Sequence, residues 1–316
     1  MNALVLAGGS ILGAFQVGAI AKVLETYSPD IVYGVSVGAL NAGYMANSIG
    51  TSNAAGKPLN WASVGVELKK FWTENITKPE QLVRQRHLIE LIYQVALNKF
   101  DGLTDTAPLD NLVKKLIRNE VVKQCSVPVL VGFTNLNSGQ FALGDSQQST
   151  DFVQDILASA HLPLIMPIVR QGSQNLTDGG VVNVSPLKCA LANQNVTNVV
   201  AISCHAPSVQ PAKTNQNWGD LIAQASRVFD IMNREVLNDD LQRTISINDE
   251  AKKHPNNIIP NGADANKRFV PIVSIRPSTD FGIDITSFTK SDIDAMILAG
   301  EEAAAKEWAA QSHILV

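Results

Sequence analysis

Three cysteines among 316 residues are too few, and odd in number, for a disulfide framework. Cys125, Cys189 and Cys204 also lack metal-ligand spacing and sit in apolar surroundings, so they read as small core residues. No apolar run reaches the roughly 20 residues that a membrane-spanning helix needs. Lys and Arg gather into nothing larger than pairs such as Lys69-Lys70, Lys114-Lys115 and Lys252-Lys253. With 25 basic against 29 acidic side chains and a net charge of -4, a nucleic-acid partner is excluded. No basic stretch precedes the first apolar segment, so no cleavable signal is expected. The expected location is the cytoplasm, with secretion without a cleaved signal as the alternative. Internal repeats and low-complexity tails are missing too. What is present, 45% hydrophobic and 17% charged residues, suffices for a large core and predicts a single α/β domain over 1–316.

Strand and helix signals alternate along the chain, the pattern of a mostly parallel sheet flanked by helices in three layers. Ala3 to Leu6 and Ile31 to Tyr33 read as buried strands, with a helix between them carrying Phe15, Ala19, Ile20, Val23 and Leu24 on one face. Gly50 to Pro58 is the most loop-like stretch, and a helical insertion is expected over about 50–99. Thr104-Asp105-Thr106-Ala107-Pro108 starts a further helix. Val127 to Phe133 is a predicted strand, with Asn137-Ser138-Gly139 turning it back into Phe141 to Leu143. A helix over Asp151 to Ala160 follows, then a proline-stiffened connector, Leu162 to Pro167. Later strands are predicted at Val199 to Cys204 and Val270 to Ile275, and helices over Leu221 to Leu237 and Ser291 to Ala310.

Gly34-Val35-Ser36-Val37-Gly38 stands between a strand and a helix-compatible stretch. A serine raised on so sharp a turn needs small neighbours, because a Cβ at either flanking glycine would collide. The same turn aims the unpaired N–H groups of a helix N-terminus at the serine, where an oxyanion would form. Ser36 is therefore the candidate nucleophile; read alone, the pentapeptide also fits a tight connection without chemistry. Upstream, Gly8-Gly9-Ser10-Ile11-Leu12-Gly13 follows the first strand. A phosphate-binding P-loop is excluded, because Ala14-Phe15 replaces the Lys-Ser or Lys-Thr it requires. A dinucleotide fingerprint fits poorly, since Ser10 occupies a glycine position and the second strand lacks a terminal acid. Two readings remain: backbone N–H groups from Gly8, Gly9 and Ser10 facing an anion, or a turn that packs helix on sheet.

A serine hydroxyl needs a base. His205 ends a predicted strand and could complete an α/β-hydrolase triad, but that fold places several strands before its elbow and Ser36 has room for two. Asp178, followed by Gly179 and Gly180, is the better base. Ile168-Val169 before it and Val181-Val182 after it suggest short strands ending near a site, although Asp-Gly is also a common hairpin turn.

Taken in order, these three motifs resemble the patatin-like phospholipase family. Its members carry a Gly-rich oxyanion loop, then the nucleophile elbow, then an Asp-Gly-Gly or Asp-Gly-Ala turn. Ala39-Leu40-Asn41-Ala42, Asp105-Thr106-Ala107-Pro108-Leu109 and Ala158-Ser159-Ala160-His161-Leu162-Pro163 agree with it, and the similarity spans nearly the whole chain. The resemblance implies a Ser36-Asp178 dyad acting on acyl esters or phospholipids, with transient contact at a membrane surface and no cofactor or metal. His161 and His205 then read as structural. Two departures stand out: Ser10 where the family has a third glycine, and Leu12 where it has Lys or Arg. If position 10 requires positive φ, serine there costs about 1 to 2 kcal/mol. A misplaced loop would slow turnover, leaving a lipid-binding or regulatory protein as one alternative; transfer of the acyl group to an acceptor other than water, which the same dyad permits, is another.

Overall fold

The protein is described from a computed structural model over residues 1–209, 211, 219–283 and 285–315. In chain order the elements begin β1 (Asn2–Leu6), α1 (Gly13–Val23), β2 (Ile31–Val35), α2 (Val37–Ala54) and α3 (Trp61–Asn75). A small excursion follows, made of β3 (Arg84–Gln85), α4 (Leu88–Ala96) and β4 (Thr104–Asp105). Next come α5 (Ala107–Leu116), α6 (Asn119–Val122), β5 (Val129–Asn135), β6 (Gln140–Asp145) and α7 (Phe152–Ala160). The remainder is β7 (Val169–Gln171), β8 (Gln174–Asp178), α8 (Leu187–Ala192), β9 (Asn198–Ile202), α9 (Leu221–Ala251), β10 (Ile272–Ile275) and α10 (Lys290–Gln311).

Eight strands form one sheet in the order β10-β9-β1-β2-β5-β8-β7, with β6 also paired to β5. The five strands from β10 to β5 run parallel, and β6, β7 and β8 add the antiparallel pairings. Parallel strands bury both faces, which is why β1 reads as an uninterrupted apolar run. Leu4 and Leu6 point into the larger core, shared with α1, α2, α3 and α10. Ala3 and Val5 point the other way, into a core closed by α8 and α9. The expected α/β architecture, a mostly parallel sheet between helical layers, is the observed one.

Two local expectations fail for tertiary reasons. Gly50 to Pro58 is not all loop, since α2 continues to Ala54. Serine, threonine and glycine are poor helix formers, yet Ile49 and Gly50 are buried and Gly50 lies against the Val121 backbone, so packing overrides propensity. Val181-Val182 forms no strand. The chain leaves β8 in a 3-10 turn, Gly179–Val181, in which the Gly179 carbonyl accepts from the N–H groups of Val182 and Asn183. The three cysteines are free. Among the described residues no helix is long and apolar enough to cross a membrane.

Candidate active site

Ser36 is the single residue between β2 and α2, and its backbone sits at φ 55, ψ -123. Positive φ is a strained conformation for a side chain with a Cβ, and a nucleophile elbow requires it. The flanking glycines are there for space: a Cβ on Gly34 would run into the Gly38 carbonyl, and one on Gly38 into the Leu6 carbonyl. The strained turn is tied down by Ser159, a residue of the Ala158-Ser159-Ala160-His161-Leu162-Pro163 motif to which the sequence assigned no role. Ser36 N–H donates to the Ser159 hydroxyl at 2.8 Å, and Ser159 in turn donates to the Gly132 carbonyl on β5. The available signal was a hydroxyl among the mostly apolar buried residues of α7, which also include Asp155.

Register brings Asp178 to the elbow. Along one side of β5, Val35 of β2 pairs with Gly132, and Asp178 of β8 pairs with the next residue, Phe133. Because β6 occupies the other side of the same residues, β8 takes up the position that β2 vacates. The end of β8 is then anchored to His161, whose carbonyl accepts the Asp178 N–H and the Thr177 hydroxyl, both at 2.9 Å. His161 is itself pinned, with Nδ1 on the Pro167 carbonyl at 2.9 Å and Nε2 on Asp110 at 3.0 Å.

Burial pushes the Asp178 carboxyl up to about 6, against the stabilising effects of the Ser36 hydroxyl, the Gly180 N–H and the His161 charge. Oδ1 accepts from Gly180 N–H at 2.6 Å. Oδ2 is buried without a hydrogen-bond partner. The Ser36 hydroxyl is thus near enough to favour the carboxylate but not bonded to it in good geometry, as is common for catalytic pairs before substrate binds. Asp178-Gly179-Gly180 is therefore a strand end that leads into a 3-10 turn, with β7 paired to β8 through the separate turn before Gln174.

The Gly-rich loop leaves β1 at the same sheet edge. Gly8, placed by sequence among the oxyanion donors, gives its N–H to the Val184 carbonyl at 2.9 Å and is not free for that role. Gly9 and Ser10 N–H have no backbone partner among the described residues. Val37, first in α2, has no intrahelical acceptor for its N–H. Gly9 lies so close to Cys204 that no Cβ fits. Ser10 adopts φ 50, so the costly case of about 1 to 2 kcal/mol applies. Leu12 is buried in the main core and leaves this part of the wall apolar.

Ser36, Asp178, Gly9 and Ser10 line one cavity of about 280 Å³, whose opposite wall is α9 with Arg227, Asp230 and Asn233. A narrower apolar cavity of about 40 Å³ shares Ser36 and Ser10 and runs between Val37, Leu40, Trp72, Leu109 and Met166. Ser36 therefore stands where a larger cavity of mixed polar and apolar lining meets a small apolar one. His205 lines the larger cavity with Nε2 3.3 Å from Asp230 and Nδ1 buried and unpartnered. The α9 wall, with Arg227 and Asp230, was not singled out by sequence reasoning. Among the described residues no group of three His, Cys, Asp or Glu side chains is placed to hold a metal ion.

Comparison with known proteins follows the same residues. The sequence model of the patatin-like phospholipase family matches residues 4–191, a span that contains the loop, the elbow and the Asp178 turn. Among solved structures, VipD from Legionella pneumophila aligns over 98% of this chain and 67% of its own, at 14% identity and a TM-score of 0.44. No curated protein matches significantly.

Proposed function

This chain belongs to the patatin-like phospholipase family, a family of lipid acyl hydrolases, and from that premise we propose that it cleaves acyl esters of lipids with a Ser36-Asp178 dyad. The observation that supports this most is the register on β5, which sets the carboxylate beside the elbow serine in a buried cavity. Asp178 accepts the hydroxyl proton as Ser36 Oγ attacks the ester carbonyl carbon. The negative charge that develops on the carbonyl oxygen meets the N–H groups of Gly9, Ser10 and Val37, each such donor being worth about 3 kcal/mol. Collapse expels the alcohol, which takes the proton from Asp178. Water then attacks the acyl-enzyme with Asp178 again as base, releasing the fatty acid and restoring Ser36.

A carboxylate is a weaker base than imidazole. Desolvation narrows the gap by raising the Asp178 carboxyl to about 6, so the base form still dominates at neutral pH. The acyl chain would enter the apolar cavity beside Leu40 and Met166, and the alcohol portion the larger one under α9, where Arg227, Asp230 and Asn233 stand.

A fluorophosphonate probe followed by peptide mapping tests the dyad without a choice of substrate. Labelling at Ser36 that is lost in Asp178→Asn, with both chains folded, is the expected result. Labelling elsewhere, or undiminished labelling in Asp178→Asn, overturns it. No labelling of folded protein would favour the lipid-binding reading, for which the strained Ser10 and the apolar Leu12 are the specific grounds. Product analysis with a competing alcohol separates hydrolysis from acyl transfer, since both share the acyl-enzyme.

A further inference from the structure

The helix α4 is apolar and uncovered. None of its residues is buried, and Leu88, Ile89, Ile92, Tyr93 and Val95 are between 59% and 82% exposed. At 100° per residue these five side chains cover an arc of about 160°. That is wider than the roughly 100° stripe that an amphipathic helix lays into a protein groove. With no residue of α4 buried among the described residues, an arc of that width suits the deformable acyl region of a lipid interface.

The charges at its ends agree. Between Arg84 and Phe100 the only carboxylate is Glu90, and it is paired with Arg86. Arg84 and Lys99 stand exposed at the two ends of the helix, while Asp101 at the base is paired with Arg170. Nine residues, about 13 Å, are too short to span a bilayer and long enough to lie in its interface. Tyr93 adds an aromatic side chain of the kind enriched at that depth.

The helix is also joined to the mouth of the cavities. Its stalk, the β3-β4 pair, continues into bonds from Leu103 N–H to the Leu164 carbonyl and from Thr104 N–H to the Ile165 carbonyl, 3.0 and 2.9 Å long. That connector carries Leu162, which lines both cavities, and Leu164, which is 62% exposed at φ 66 and adds to the apolar surface.

We propose that α4 is the docking element of this protein for an anionic lipid surface, seating its apolar side chains among the acyl chains with the basic residues at the headgroups. The proposal does not depend on the dyad. Sedimentation with vesicles tests it, using the Ser36→Ala chain so that lipid is not consumed. Vesicles of equal parts phosphatidylcholine and phosphatidylglycerol should bind it, and phosphatidylcholine alone several-fold more weakly. Ile89→Glu with Ile92→Glu should weaken partitioning about a hundredfold or more, since two large apolar side chains lose their burial. Both residues are exposed, so thermal melting and, in a chain retaining Ser36, cleavage of a water-soluble short-chain ester should be unchanged. Undiminished vesicle binding by the doubly substituted chain overturns the proposal, as does failure of the Ser36→Ala chain to bind either vesicle. A dimer in solution that the double substitution dissociates would assign the surface to a second copy and overturn it equally. Vesicle binding without any ester hydrolysis would refute the catalytic reading and leave the docking surface standing.

Discussion

Asp178, the base of the proposed dyad, sets function against stability at a single residue. Its carboxyl rises from 3.8 to about 6 on folding, chiefly through burial, so the fold prefers the neutral acid. The stability lent to that neutral form is full below pH 3.8 and is lost as pH rises through about 6. At pH 7 the ionised group therefore costs up to about 3 kcal/mol. Asp178→Asn should unfold at higher denaturant than the parent at pH 7, with the difference closing by pH 4, while ester hydrolysis is lost. Equal stability at both pH values would show that the carboxylate is better solvated than its burial implies. In the parent, kcat/KM should climb with pH through about 6. The sequence made Ser36 and Asp178 legible because glycines on either side of one and after the other report crowded backbone. It misled at Gly8, whose N–H is taken by Val184, a residue distant in the chain with no local signature.

At the scale of elements, a buried polar chain holds the loop and the elbow together. Gln16 on α1 donates to the carbonyls of Ala7 and Ile202, Asn41 on α2 donates to Gln16, and Trp72 on α3 donates to Asn41. Gln16 and Asn41 are fully buried, so each lost partner leaves a desolvated group unsatisfied. Asn41→Ala should cost about 2 to 3 kcal/mol in urea unfolding and slow hydrolysis by loosening the starts of α1 and α2. A neutral effect would mean that water replaces the amide. Asn41 drew notice in the sequence through the motif after the elbow, but nothing local paired it with Trp72. Element types were mostly legible from apolar periodicity. Their ends were less so: α9 was expected to Leu237 and runs to Ala251.

At the scale of the whole molecule, α9 closes the larger cavity, and the buried cation Arg234 secures it. Arg234 has no exposed surface; it pairs with Asp230 and Asp280 at 2.9 Å and donates to the carbonyls of Ala206 and Ser208. Burial pushes Asp230 upward, but the nearby His205 and Arg234 outweigh it and hold its carboxyl below the usual range. Arg234→Met would leave the buried Asp280 without its paired cation, while Asp230 keeps Arg227 and His205, and should cost about 3 to 5 kcal/mol. Limited proteolysis should then cut α9 faster than the central sheet. Unchanged cleavage would show that the helix is held by its apolar contacts alone.

The sequence by itself determined the features that arise from local sterics and periodicity: a mostly parallel α/β sheet, a serine raised between two glycines, and a Gly-rich loop after the first strand; that Ser10 in this loop takes the costly positive φ was decided by the structure. These depend on neighbours along the chain, so composition and spacing carry them. Tertiary structure alone decided that Asp178 occupies the position on β5 next to Val35, that Ser159 braces the elbow, that α9 roofs the cavity and that α4 is left uncovered. Each of those depends on which hydrogen bonds and apolar faces meet between distant segments, and an unpaired backbone group or an open face leaves no mark on the residues beside it in the chain.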